Sequence, residues 1–184
     1  MTMIRQRPLN AAPAIQACAM APPFRDAVFD AALAILTNHH WPQGNVGLGE
    51  LRRVSRDRVV LLTWDPSSPG FWLTDYFPKI LELDRQIFPT LDEIERGLGR
   101  IQVSDVPIPH DCCDGFLGAY WRRPESYLNA RVRSAISTFA RLADVTPGSE
   151  QLRLDLDSGE WHCRYSHILT MSELDLGYRL VISP

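Results

Sequence analysis

Phe29-Asp30-Ala31-Ala32-Leu33-Ala34-Ile35-Leu36-Thr37-Asn38-His39-His40-Trp41-Pro42 is the stretch on which the reading of the fold turns. From Ala31 to Leu36 it is apolar, uncharged and does not alternate, the pattern of a strand buried on both faces in a parallel sheet covered by helices. It is too short to cross a membrane. The run stops at Thr37 and delivers Asn38, His39, His40 and Trp41 just past its carboxyl end. Ligands of open α/β sheets sit outside the carboxyl ends of the strands, so this group is the first candidate site.

Downstream, Val46, Leu48, Leu51 and Val54 fall near one helical side, with Glu50, Arg52 and Arg53 on the polar one. A second buried strand follows from Asp57 to Trp64, rich in β-formers and stopped by Asp65-Pro66-Ser67-Ser68-Pro69-Gly70. Strand, helix and strand in so short a span predict a parallel βαβ unit with a right-handed crossover, and hence an α/β fold. Upstream, Met1 to Arg7 reads as the end of a helix closed by Pro8, and Ala14 to Cys18 as a short strand.

In the second half, Phe71 to Pro78 holds four aromatic residues that suit either a lid over a pocket or a cover for the sheet. A helix with Ile80, Leu83 and Ile87 on one side comes next. Thr90-Leu91-Asp92-Glu93 is a capping box opening a further helix that Gly97 and Gly99 end. Ile101 to Val106 alternates as a half-buried strand. The loop Pro107 to Phe116 gathers His110, Asp111 and Asp114, and helices are expected over Phe116 to Arg123, Arg131 to Leu142 and from a Ser149 cap to Asp157. Leu174 to Ile182 contains the closing strand.

At 184 residues and 45% apolar content the chain is expected to form one domain. Its 19 basic and 22 acidic residues leave a net charge of −3 with no basic cluster, which argues against nucleic-acid and anionic-membrane partners. Eighteen of the basic residues are arginine and only Lys79 is lysine, a coding bias. The first apolar stretch is broken by Pro8, Pro13, Pro22 and Pro23 and offers no signal-peptide core, so a cytoplasmic location is expected. Cys18, Cys112, Cys113 and Cys163 show no C-x-x-C spacing, which argues against a disulfide framework, and adjacent cysteines suit a zinc site with His110 poorly.

Met3 to Pro8, Phe29 to Ala34 with His39-His40-Trp41-Pro42, Glu50 to Val54, Val59 to Pro66, His110 to Phe116, Gly118 to Glu125 and Asp175 to Val181 resemble, in order and over nearly the whole chain, class I S-adenosylmethionine-dependent methyltransferases. The resemblance implies a Rossmann-like sheet, helical cover in the carboxyl half and S-adenosyl-L-methionine as cofactor. In that family the first strand ends in a glycine-rich turn against the cofactor and the second in an acid that holds the ribose hydroxyls. Neither has a counterpart in this sequence. Residues 1–184 therefore resemble a single, N-terminally truncated methyltransferase domain whose first two strands are absent, with half a cofactor site.

Carried over by resemblance, Cys18 and Ala19 match the position that meets the adenine and Thr37 the position beside the sulfonium. Thr37 is otherwise an ordinary strand end. His40, a side chain that titrates near neutrality, matches the wall where acceptor and cofactor meet and is the candidate base. Trp41, His110, Asp111, Asp114, Tyr120 and Trp121 are the acceptor-pocket candidates, although Asp114 also suits an N-cap and Trp41 a packing role. The implied function is methyl transfer to a small molecule; the alternative is a non-catalytic remnant acting as a binding or pairing module. The chain as it stands is expected to be inactive, to bind the cofactor no tighter than about 100 μM, and to self-associate through the open sheet edge. A missing βαβ unit would need roughly 30 or more residues upstream in the reading frame.

Overall fold

The computed structural model describes residues 2–8 and 10–184. A single turn of helix, α1 (Thr2–Arg5), precedes Pro8. Strand β1 (Phe29–Ile35) leads through a 3-10 turn at Asn38–His40 into α2 (Gly44–Val54), which passes without a loop into β2 (Ser55–Trp64). The two strands pair in parallel, Ala31 opposite Arg58 through Ile35 opposite Leu62. Helices α3 (Leu73–Tyr76), α4 (Pro78–Ile87) and α5 (Leu91–Leu98) lead to β3 (Gln102–Asp105) and the two-residue β4 (Ile108–Pro109). Helices α6 (Ala130–Ser134), α7 (Thr146–Ser158) and α8 (Glu160–Tyr165) precede β5 (Glu173–Leu174) and β6 (Tyr178–Ser183). The main sheet runs β1-β2-β6-β3 with β6 antiparallel to both neighbours, and β4 pairs with β5 separately. The α/β class expected from the sequence is the class observed.

The register sorts the side chains between two cores. Ala32, Ala34, Val59, Leu61 and Val181 point beneath α2 and α5, where Leu48, Val54, Ile94 and Leu98 close over them. The Thr90–Glu93 capping box that starts α5 is formed in both directions. Beyond the sheet end lies a larger, aromatic core: Trp64, Trp72, Tyr76, Phe77, Trp121, Tyr127, Phe139 and Trp161 are all buried there. The aromatic segment after β2 is thus a structural part of this core rather than a lid, since Trp72 Nε1 donates to the Trp121 carbonyl at 2.6 Å inside it.

Several expectations need correction. β1 is buried on one face only: Leu33 is 61% and Ile35 56% exposed, because among the described residues no element packs over that side. Ala14 to Cys18 forms no strand; exposed, and with no neighbouring strand, it reaches only a Cys18–Ala21 bridge. β3 is an exposed edge strand rather than half-buried. The stretch 131–142 is broken into α6 and a 3-10 turn at Phe139–Arg141, and 116–123 yields only a 3-10 turn at Leu117–Tyr120. α7 starts three residues before Ser149, where Asp144 Oδ1 accepts from the Thr146 N–H at 2.8 Å and Pro147 fits the first turn. Gly97 sits inside α5, where Leu48 crosses so closely that a Cβ would lie 2.8 Å from its Cδ1.

Candidate active site

The segment after β1 is bent sharply. Leu36 takes φ +44°, a left-handed conformation that a branched side chain adopts only when its surroundings hold it there. Its N–H donates to the Leu62 carbonyl at 2.8 Å, which keeps it tied to β2. Two residues on, the buried Asn38 amide donates to the Thr63 hydroxyl at 3.3 Å and anchors the 3-10 turn to the same strand. That anchor sets His39 and His40 at the carboxyl ends of β1 and β2. Their rings lie 3.9 Å apart, and His39 stacks on Phe88 at the end of α4 at 4.0 Å.

These imidazoles line a cavity of about 230 Å³ whose walls include Leu36, Trp64, Asp84, Phe88, Phe116, Thr138 and Tyr178. Trp64 is held by donation from Nε1 to the Leu176 carbonyl at 2.9 Å, and Tyr178 by accepting the Gly118 N–H at 3.1 Å. Asp84 is 4% exposed, and its Oδ1 accepts from the Thr138 hydroxyl at 2.7 Å. Among the described residues that hydroxyl is the only donor to its carboxylate. Burial pushes the Asp84 carboxyl up to about 6, against the pull of the Thr138 bond and of Arg141. Burial also lowers His39 to about 4, helped by His40 and Arg141, and lowers His40 with help from Arg141. At neutral pH the cavity therefore holds two neutral imidazoles and one carboxylate. His39 Nδ1 is buried without a hydrogen-bond partner.

Of the sequence candidates, the structure brings His39 and the proposed base His40 into this cavity, and no other. Trp41 packs over Gly47 of α2, where a Cβ would lie 2.4 Å from its ring, and lines a separate cleft of about 660 Å³ with Pro42 and Arg96. His110 is half-buried beside β4, its N–H donating to the Ser172 carbonyl; Asp111 is exposed; Asp114 is exposed and accepts from the Gly115 N–H at 2.7 Å. Tyr120 packs edge-on to Tyr127 with the Arg123 guanidinium over its ring. Trp121 is fully buried and donates from Nε1 to the Ile108 carbonyl at 2.9 Å. Among the described residues no group of three or more His, Cys, Asp or Glu is placed to hold a metal ion. Among the described residues no helix is long and apolar enough to cross a membrane.

Asp84 and Thr138 were not among the sequence candidates. The signal for Asp84 was available: it lies four residues after Ile80 and three before Ile87, so it is a charged residue on the apolar side of α4. Thr138 gives no such signal, because its segment departs from helix.

The residues matched to the cofactor are less well placed. Cys18 is exposed, Ala19 and Thr37 are half-buried, and the Thr37 side chain makes no capping bond. The glycines nearest in sequence to the end of β1 are Gly44, Gly47 and Gly49, all within α2.

Among solved structures, the chain matches a protein from Anabaena variabilis ATCC 29413 assigned as a methyltransferase of an antibiotic biosynthesis pathway. The two are 35% identical over 92% of this chain and 72% of that one, with a TM-score of 0.85. A Bacillus halodurans C-125 protein assigned as a methyltransferase is 14% identical over 92% of this chain and 73% of its own, with a TM-score of 0.39. The YcgJ protein of Bacillus subtilis is 18% identical over 91% and 68%, with a TM-score of 0.44. At these values neither of the latter two bears on function. No protein-family model and no curated protein matches the chain.

Proposed function

Because the chain belongs to the class I S-adenosylmethionine-dependent methyltransferases, we propose that the cavity at the carboxyl ends of β1 and β2 receives a small-molecule methyl acceptor, with His40 as its proton acceptor. The observation that carries this reading is the cavity itself. It is concave, mostly aromatic and apolar, and furnished with a few convergent polar groups, as ligand sites are. Its volume of about 230 Å³ lies below the ~300–1,000 Å³ of sites for drug-sized ligands, which favours a small molecule or one end of a larger one.

His40 suits the role because burial and Arg141 keep its imidazole neutral, so a ring nitrogen is free to take a proton. The exposure of His40 lets that proton pass on to water. His39, more enclosed and stacked on Phe88, orients its neighbour by ring contact instead.

S-adenosylmethionine is the methyl donor of this family and supplies an activated methyl group. The described residues do not fit it: they place no glycine-rich turn and no acidic strand end beside Thr37, and Cys18 is exposed. On this reading the described residues supply the acceptor side of the site.

A second reading, a binding or pairing module without catalysis, is favoured by the open β1 edge and the exposed Leu33 and Ile35. One assay separates the two. The chain and a His40→Ala variant are incubated with S-adenosylmethionine and a panel of small amines, alcohols and carboxylates. Acceptor-dependent release of S-adenosylhomocysteine that drops at least tenfold in the variant supports the acceptor reading. Release that is unchanged in the variant, or no panel member binding in the cavity of the unaltered chain, selects the second.

A further inference from the structure

Asp84 has no part in the proton transfer assigned to His40, yet among the described residues it is the only carboxylate lining the cavity. Helix α4 fixes it there: Ile80, one turn earlier, is buried in the aromatic core, and Phe88, one turn later, stacks on His39. The Thr138 hydroxyl binds one carboxylate oxygen at 2.7 Å and leaves the other without a donor among the described residues. That oxygen is not sealed from solvent, so water can reach it, but a charged donor makes the stronger hydrogen bond to a carboxylate that is only 4% exposed.

We infer that Asp84 and the aromatic walls around it make this cavity a recognition site for a protonated amine, so that the acceptor is an amine or carries one. The inference rests on reading the cavity as the acceptor site and adds the chemical class. Trp64, Phe88, Phe116 and Tyr178 present rings whose faces favour a cation over an anion. His39 and His40 contribute no positive charge at neutral pH, and burial keeps the Tyr178 phenol protonated. Arg141 is near enough to lower the proton affinity of Asp84 and both histidines, but it is exposed, forms no ion pair with Asp84 among the described residues and lines the neighbouring cleft. Among the described residues the one full charge lining the cavity is negative. A carboxylate ligand meets like charge there, and an alcohol gains only an ordinary hydrogen bond.

The experiment is calorimetric titration of the 184-residue chain at pH 7.5 with three probes of one shape: 2-phenylethylamine, 2-phenylethanol and phenylacetate. The amine is expected to bind at least tenfold tighter than either of the others. In Asp84→Asn, whose amide oxygen still accepts from Thr138, amine affinity falls at least tenfold while that of the alcohol stays within about twofold. Equal or tighter binding of the alcohol or phenylacetate, no binding of any probe, or an unchanged amine affinity in the variant overturns the inference. The comparison of probes on the unaltered chain stands whether or not the variant folds. Methyl transfer to an alcohol or a carboxylate without amine preference overturns this inference and leaves the acceptor reading intact. Amine binding with methyl transfer that is unchanged in His40→Ala does the reverse.

Discussion

The Thr138 hydroxyl donates to Asp84 Oδ1 at 2.7 Å across 54 residues of sequence and joins two segments of the wall of the cavity that His39 and His40 also line. The bond ties a charged side chain of α4 to the irregular segment between α6, which ends at Ser134, and the 3-10 turn at Phe139, a segment that Ile136 and Phe139 also anchor in the aromatic core.

Its first consequence is a pH dependence of stability. The Asp84 carboxyl is raised in the folded chain from 3.8 to about 6, so between those values the folded state holds the proton more tightly than the unfolded one. Stability from this group is therefore present below about pH 4 and is lost as pH rises toward 6, by roughly 3 kcal/mol at 1.36 kcal/mol per unit. His39, lowered from 6.5 to about 4, acts in the opposite direction over an overlapping window, so the unaltered chain shows only the difference. Urea midpoints of Asp84→Asn against the parent at pH 4.5 and 7 isolate the carboxyl. The variant is expected to gain relative stability at the higher pH, and a parallel pair of curves would rule the assignment out.

Trp121, an acceptor-pocket candidate by resemblance, holds the aromatic core together. It has no exposed surface, its Nε1 donates to the Ile108 carbonyl, and its own carbonyl accepts from Trp72. Trp121→Ala is expected to cost about 3–5 kcal/mol. Trp121→Phe should cost less and leave probe binding at the cavity unchanged. Chemical denaturation of both variants checks the stability change, and a selective loss of binding in the stable Phe variant would return Trp121 to the site.

Gly148 lies in the first turn of α7, where a Cβ would stand 2.4 Å from the Tyr76 carbonyl oxygen and 2.6 Å from the Phe77 ring. Backbone cannot swing aside as a side chain can, so Gly148→Ala forces α7 away from α3. A loss of more than about 2 kcal/mol is expected, in the range of overpacked cores. Gly49→Ala, with open space around it on α2, is the control and should stabilise slightly or do nothing.

How much of this was legible in the sequence follows from what each signal encodes. The uncharged run Ala31–Leu36 announced a strand, and the capping box at Thr90 announced a helix start, because both signals are local. The same run could not say whether a neighbour covers Leu33 and Ile35, since burial depends on elements elsewhere in the fold. His40 was legible from its place after the strand. Asp84 and Thr138 meet across long separation in an arrangement that no local pattern records, and the charge on the apolar side of α4 was the single trace of it.

That uncovered side of β1 leads to the last prediction. Leu33 lies opposite Val60 and Ile35 opposite Leu62 in the parallel ladder, and Val60 and Leu62 stand opposite Ile182 and Leu180 of β6. The four inner residues are only half-buried, so the six side chains form a continuous apolar face ending at an edge strand without a partner. Natural proteins guard such edges with charge, and among the described residues the one ion pair on β1, Asp30 with Arg56, lies at its far end. The purified chain is expected to associate at micromolar concentrations, and Leu33→Lys with Ile35→Lys should raise the monomer fraction in light scattering. Because both side chains are more than half exposed, the double change should shift monomer stability by no more than about 1 kcal/mol. A loss of several kcal/mol would mean instead that these side chains are covered in the protein in solution. A parent chain already monodisperse at high concentration would mean that the edge is guarded by something other than charge.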